Sequence, residues 1–276
     1  MRQTSGAMIC PSCGKLISVS EERCPFCGAW RPGMFGYAPA MRRLFGTFDF
    51  PHLIVVACVA LYVIALLLDP AALLHPRDLF SILSPSNLAL YETGMTGGPA
   101  WSNGWWWTVF TAIFLHGGLL HIFFNMMWVR DLGPAVMRLF GSARGFVIFM
   151  VAGALGFVVS NVVTGHPSVG ASGSIFGLLA ALIVYGRRGG GGVMMTQQLW
   201  QWAIILFVMG FFLPGVNNWA HAGGFAGGWL TAQVMPAHHE RRESLGVQLL
   251  ALAFVAVTLV GFVLSFINVR AELGKG

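Results

Sequence analysis

The chain has 276 residues, is 56% hydrophobic and 9% charged, and has a mean hydropathy of +0.72. A soluble globular domain carries about 25% charged residues, so this composition excludes one and indicates an integral membrane protein whose spans each need roughly 20 apolar residues. The net charge of +6 bears first on topology, because Lys and Arg collect in cytoplasmic loops; no nucleic-acid partner is expected from it.

No cleavable signal peptide is expected, since the first apolar run starts only near residue 52, after a polar, cysteine-bearing segment. Residues 10–28 read CPSCGKLISVSEERCPFCG. Cys10, Cys13, Cys24 and Cys27 form two C-x-x-C pairs, each followed by Gly and each with Pro after its first Cys. A C-x-x-C turn brings two thiolates onto one ion, and two such turns close a tetrahedral Cys₄ site. So short a segment cannot build a sufficient apolar core, so the metal has to hold it together. The segment resembles a short zinc ribbon over 1–30, with structural zinc as its expected cofactor. A redox pair or two disulfides would not account for the duplicated C-P-x-C-G. Cys58 lies in an apolar run and reads as packing. Residues 31–50, rich in Gly, Pro and aromatics, read as a linker ending at the membrane surface.

Apolar runs follow at about 52–68, 119–137, 146–163, 170–186, 200–214, 218–235 and 246–267. They predict seven helices separated by polar or glycine-rich breaks. Arg42 and Arg43 precede the first run, Arg138 and Arg144 lie between the second and third, Arg187 and Arg188 follow the fourth, and Arg241 and Arg242 follow the sixth. The alternate loops 164–169 and 214–217 carry no Lys or Arg. The positive-inside rule therefore places the N-terminus in the cytoplasm and the C-terminus outside. A cytoplasmic ribbon is in a reducing compartment, which favours metal over disulfides. Residues 69–118 form a long extracytoplasmic loop, partly in the bilayer, with Trp105, Trp106 and Trp107 as interfacial anchors. A further span at 105–120 would reverse the orientation of every later helix, against the arginine pattern.

Intramembrane polar residues are costly and are functional candidates by default. The second run opens HGGLLHIFFNMMW, with His116, His121 and Asn125; the fourth opens VGASGSIFG; the sixth opens NNWAHAGGFAGGWL, with His221. All three runs descend from the outer face, so these residues share a depth roughly 5–10 Å below it. A serine hydroxyl needs a base, a neutral imidazole is the usual one near pH 7, and a tetrahedral intermediate needs donors at its oxyanion. Gly173-x-x-x-Gly177 and Gly224-x-x-x-Gly228 would let the fourth and sixth helices approach closely and bring Ser172 to His221.

These motifs resemble the rhomboid family of intramembrane serine proteases. Gly170-Ala171-Ser172-Gly173 matches its G-x-S-G nucleophile motif. His116, His121 and Asn125 match its H-x-x-x-x-H-x-x-x-N motif, and Ala220-His221-Ala222-Gly223-Gly224 its A-H-x-x-G base motif. The resemblance covers about 45–235. It implies an all-α polytopic fold, a six-helix bundle with one additional C-terminal helix. The corresponding division is a protease domain at 51–236, then a turn, an extra helix and a tail at 237–276.

The resemblance further implies Ser172 as nucleophile and His221 as base with no acidic third member. His121, Asn125 and the Ser172 backbone N–H would form the oxyanion hole. Gly170, Phe176, Gly224, Gly228 and His116 would support the site. Catalysis is expected to need no cofactor. The expected partners are the lipid bilayer, transmembrane protein substrates cleaved near the extracytoplasmic face, and a cytoplasmic partner of the ribbon. The expected location is a bacterial inner membrane. Two departures stand out: Thr108 follows Trp107 where many rhomboids carry Arg, and Phe176 replaces a frequent Tyr. Ser174 reads as a packing serine, and His238 and His239 as solvated surface. The competing functions are a non-catalytic rhomboid-like escort and a channel. A channel would spread polar residues over several depths.

Overall fold

The computed structural model describes residues 2–11, 13–38, 48–70, 82–190, 192–237 and 243–274. Most of the linker, the pairs Arg42–Arg43 and Arg241–Arg242, and His238 and His239 lie outside the described residues. The N-terminal unit pairs two three-residue strands, β1 (Ala7–Ile9) and β2 (Leu16–Ser18), antiparallel with Met8 opposite Ile17. Its buried centre comprises Met8, Cys10, Ile17, Val19, Cys24 and Ala38. A lone hairpin of this size is marginal in water, so two of its few buried positions are spent on cysteines.

Ten α-helices follow among the described residues. They are α1 (Phe50–Leu68), α2 (Asn87–Glu92), α3 (Gly98–Ser102), α4 (Thr108–Thr111), α5 (Leu119–Phe140), α6 (Ser142–Val163), α7 (Ser172–Tyr185), α8 (Gly192–Met209), α9 (Asn218–Val234) and α10 (Leu245–Leu273). Each of the seven apolar runs is a helix: α1, α5, α6, α7, α8, α9 and α10. Hydropathy misplaced three ends by several residues. The run at 200–214 is helical from Gly192, because Met194, Met195, Gln197 and Gln198 are good helix formers though not all are apolar. It stops at Met209, before Gly210 and Pro214. The last helix continues through the polar turn NVRAEL, again on propensity.

The chain is mostly helical and polytopic. Helices α1, α6, α8 and α10 are long and apolar enough to cross a bilayer, and the segment 108–114 with α5, bent by 92°, is a fifth candidate. The seven residues 108–114 rise only about 10 Å and cannot make a span by themselves. Helix α7 has 14 residues and α9 has 17, or about 21 and 26 Å against a hydrocarbon core of about 30 Å. Residues 173–184 of α7 are buried without exception, which marks it as the centre of the bundle. Helices α6 and α9 pack on it most densely, with α5 and α8 around them. Cys58 is fully buried in this core. Helix α10 packs on α6 and on the helical segment 87–111.

Candidate active site

Ser172 is the first residue of α7, where backbone N–H groups lack intrahelical partners and point toward solvent or ligand. Its Oγ lies 2.9 Å from Nε2 of His221 in the first turn of α9. The imidazole stacks on Phe176, with centroids 4.4 Å apart and planes at 20°. Phe176 is one turn below Ser172, so one helix face supplies both the hydroxyl and the surface on which the ring rests. Nδ1 of His221 is buried and has no hydrogen-bond partner among the described residues. Among the described residues, no carboxylate stands behind the ring.

Glycine makes this approach physically possible. A Cβ on Gly224 would lie 2.1 Å from the carbonyl oxygen of Gly173, one on Gly228 2.3 Å from Cα of Gly177, and one on Gly173 3.0 Å from the carbonyl oxygen of Ala220. Helices α7 and α9 thus touch backbone to backbone, as small-residue spacing permits. Sequence reasoning missed the third member of the stack. A Cβ on Gly156 of α6 would lie 2.5 Å from the carbonyl oxygen of Ala220, and one on Gly153 2.3 Å from Oγ of Ser174. The signal was present as Ala152-Gly153-x-x-Gly156 in the third run. Ser174 is fully buried against α6, and its Oγ has no hydrogen-bond partner among the described residues.

His121 and Asn125 lie on one face of α5. The Nδ1 of His121 accepts from the backbone N–H of Gly117 at 3.3 Å, which leaves the proton on Nε2. That Nε2 sits over Gly170, 2.6 Å from where a Cβ would be. Gly170 has φ +128°, so both its conformation and its neighbour require glycine. Asn125 donates one amide N–H to the carbonyl of His121 at 2.8 Å and keeps the other. His116 is buried, with its ring centroid 5.1 Å from that of His121.

A polar network, mostly unread in the sequence, holds the loop that leads into Ser172. Thr96 and Ser168 pair antiparallel through N–H···O bonds of 3.3 and 2.9 Å, and Gly170 donates its N–H to the carbonyl of Ala112 at 2.9 Å. Asn161 donates to Oγ1 of Thr96 at 2.9 Å, and Thr108 shares a 3.0 Å hydrogen bond with the same oxygen. Thr108, which stands where many members of the resembled family carry arginine, here braces the loop. Asn217 caps α9 by accepting from Ala220 N–H at 3.0 Å, while its amide donates to the hydroxyls of Ser160 and Ser168 at 2.5 and 3.1 Å. An Asn just before an apolar run is an N-cap signal and could have been read. Of the three tryptophans, Trp106 is exposed, whereas the indole N–H of Trp107 turns to Oγ of Ser265 on α10 at 3.1 Å.

In the N-terminal unit the sulfurs of Cys10, Cys13, Cys24 and Cys27 all lie within 4.8 Å of one another. Cys10–Cys27 and Cys13–Cys24 are 3.8 and 3.7 Å apart. A tetrahedron with metal–sulfur bonds of about 2.3 Å has edges of about 3.8 Å, so the donor set fits a metal ion. The two turns are duplicates: Gly14 donates to the carbonyl of Cys10 at 3.0 Å and Gly28 to that of Cys24 at 2.9 Å, with φ of +75° and +72°.

Comparison with known proteins follows the same lines. A family model described as the rhomboid domain matches residues 103–238. Rhomboid protease GluP of Bacillus subtilis (strain 168) is 32% identical over 165 residues, covering 58% of this chain and 32% of GluP. YdcA of the same strain is 31% identical over 169 residues, covering 59% of this chain and 85% of YdcA. Rhomboid protease GlpG of Klebsiella pneumoniae is 29% identical over 140 residues, covering 49% of this chain and 51% of GlpG. The chain thus spans about a third of the length of GluP and most of YdcA. The matched region contains the serine, both histidines of α5 and α9 with their asparagine, and the glycine stack. The chain belongs to the rhomboid family.

Proposed function

We propose that this integral membrane protein is a serine endopeptidase that cuts transmembrane or membrane-proximal segments of other proteins. The observation that carries the reading is the 2.9 Å contact between Ser172 Oγ and His221 Nε2 at the head of two helices locked together by glycine. As Oγ attacks the scissile carbonyl carbon, its proton passes to Nε2 of His221. The carbonyl oxygen becomes an oxyanion, for which His121 Nε2–H, the free amide N–H of Asn125 and the Ser172 backbone N–H are the donors. Collapse breaks the C–N bond, and the leaving amine takes the proton from His221. Water, deprotonated by the same imidazole, then attacks the acyl-enzyme and releases Ser172. With no acid behind His221, the Phe176 face supports the imidazolium as it forms. His116 supports His121 from behind.

The same reading places 51–236 as the protease domain, with α10 beyond six core helices. Its loop arginines put the N-terminus in the cytoplasm and the site near the opposite face. The four cysteines would hold zinc, which supplies folding energy to the ribbon and no catalytic step. The test is labelling with a fluorophosphonate, which reacts with an activated serine. Wild-type protein in detergent is expected to label, and Ser172→Ala and His221→Ala to lose at least about 100-fold of the signal. Equal labelling of folded wild type and Ser172→Ala would sink the nucleophile. Labelling without cleavage of any model transmembrane substrate would favour a binder.

A further inference from the structure

Helix α10 lies outside the motifs that carry the chemistry, yet it is fastened to the loop network of the site. Glu92, at the end of α2, is 3% exposed, and its Oε1 lies 2.8 Å from Nε of Arg270 on α10. The Nε–H is not aligned for a hydrogen bond, since Oε1 has no such partner; the contact is ionic. Arg270 is held by the ring of Phe266, 5.4 Å from its guanidinium. Between about one and four and a half turns along the same helix, Ser265 accepts from Trp107, Gly261 admits Thr111 and Trp107, and Phe254 meets Phe110 at 5.7 Å. A Cβ on Gly261 would lie 2.9 Å from Cγ2 of Thr111. Thr111 in turn donates to the carbonyl of Gly94 at 2.7 Å. Two residues further on, Thr96 pairs with Ser168, and Ala112 accepts from Gly170. A continuous chain of contacts therefore runs from α10 to the residues immediately before Ser172.

We propose that α10 is a brace for the active-site loop and that the Glu92–Arg270 pair is its latch in one sense: Arg270 is the counter-ion that lets Glu92 stay buried against α10, and so acts as a positioning residue for the reaction proposed above. A buried carboxylate without its cation is strongly unfavourable. Removing Arg270 strips Glu92 of its cation; to keep its charge the carboxylate has to reach water, and segment 87–111 then has to lift off α10. The lift loosens the Thr96–Ser168 pairing and displaces Gly170. Removing Glu92 is milder, because Arg270 is half-exposed and keeps its hydration. The latch thus predicts an asymmetry and a rescue: Arg270→Met does damage, Glu92→Gln does little, and the double variant behaves as Glu92→Gln.

The experiment is backbone amide exchange on the full chain in nanodiscs, run beside fluorophosphonate labelling. In Arg270→Met, exchange is expected to rise about tenfold at 94–98 and 165–171 while α6 and α9 keep wild-type protection. Labelling is expected to slow about three- to tenfold. Adding Glu92→Gln is expected to restore both. Wild-type exchange in Arg270→Met overturns the latch. So does exchange raised equally with and without Glu92→Gln, which would make packing of Arg270, not the ion pair, responsible. Exchange raised throughout α6 and α9 would indicate general destabilisation and would also overturn it. If Arg270→Met does not fold, Ser265→Ala removes the Trp107 contact without stranding a charge and is expected to raise exchange at the same two segments. The exchange readout does not depend on catalysis, so failure of the protease reading leaves it interpretable.

Discussion

A histidine proposed as a base needs something to hold its orientation, and in this chain a ring takes the place that a carboxylate takes elsewhere. Phe176 stacks on His221 at 4.4 Å, and its position one turn after Ser172 is legible from spacing alone. What spacing did not convey is that Nδ1 of His221 is enclosed without a partner among the described residues. That leaves stacking as the main orienting force. Phe176→Leu keeps the bulk but loses the flat π-face, worth about 0.5–1.5 kcal/mol for a stacked pair and more once the ring is charged. Its kcat is expected to fall about tenfold with KM little changed, because the loss is felt as the imidazolium forms. Phe176→Tyr is expected to stay within about threefold of wild type. Steady-state cleavage of a transmembrane model substrate checks both, and a Leu variant with unchanged kcat would rule out the stack as a catalytic support.

At the scale of elements, three helices share one seam. The α7–α9 contact was readable as two small-xxx-small motifs, but the insertion of α6 between Ser174 and Ala220 was not, since one motif cannot report how many partners it serves. Gly224→Ala is the sharpest probe. Its methyl would sit 2.1 Å from the carbonyl oxygen of Gly173, a backbone atom that cannot rotate away. Forced separation of this kind typically costs about 1–3 kcal/mol. His221 lies one turn before Gly224, so the displacement passes directly to the 2.9 Å contact. Melting temperature is expected to drop by about 2–8 °C and fluorophosphonate labelling by more than about tenfold. Gly246→Ala on α10, whose nearest neighbour atom would be 3.9 Å away, is expected to change neither. If the two variants behave alike, close approach of α7 and α9 is not what sets the site. Asn217 belongs to this scale too: as cap and as bridge to Ser160 and Ser168, it ties α9, α6 and the loop before Ser172. Nothing in linear sequence joins those three places.

For the whole molecule, the N-terminal unit and the helical bundle have different sources of stability. The N-terminal unit has six residues in its buried cluster and, on the proposed reading, depends on a metal held by its four cysteines. The bundle has a continuous apolar core from Phe50 to Ala251. Cys10→Ser is therefore expected to lose bound zinc, measured by metal analysis of the purified chain, while Ser172 labels at the wild-type rate. Loss of labelling with the bundle still folded would show that the two parts are coupled. The sequence by itself determined the membrane class, the seven helical runs, the duplicated cysteine turns and the motif residues. All of these rest on local composition or short, fixed spacings, which the 3.6-residue period and the C-x-x-C turn translate directly into structure. Only the tertiary structure decided that α7 is the buried centre, that α6 completes the glycine seam, that Thr96, Asn161 and Asn217 hold the loop, and that α10 reaches that loop through Glu92 and Trp107. Most of these contacts join residues about 50 to 180 positions apart, and their existence depends on which helix faces turn toward each other. Helix α10 shows why: its apolarity all round says that it seeks lipid or a partner, and says nothing of which face will find Glu92.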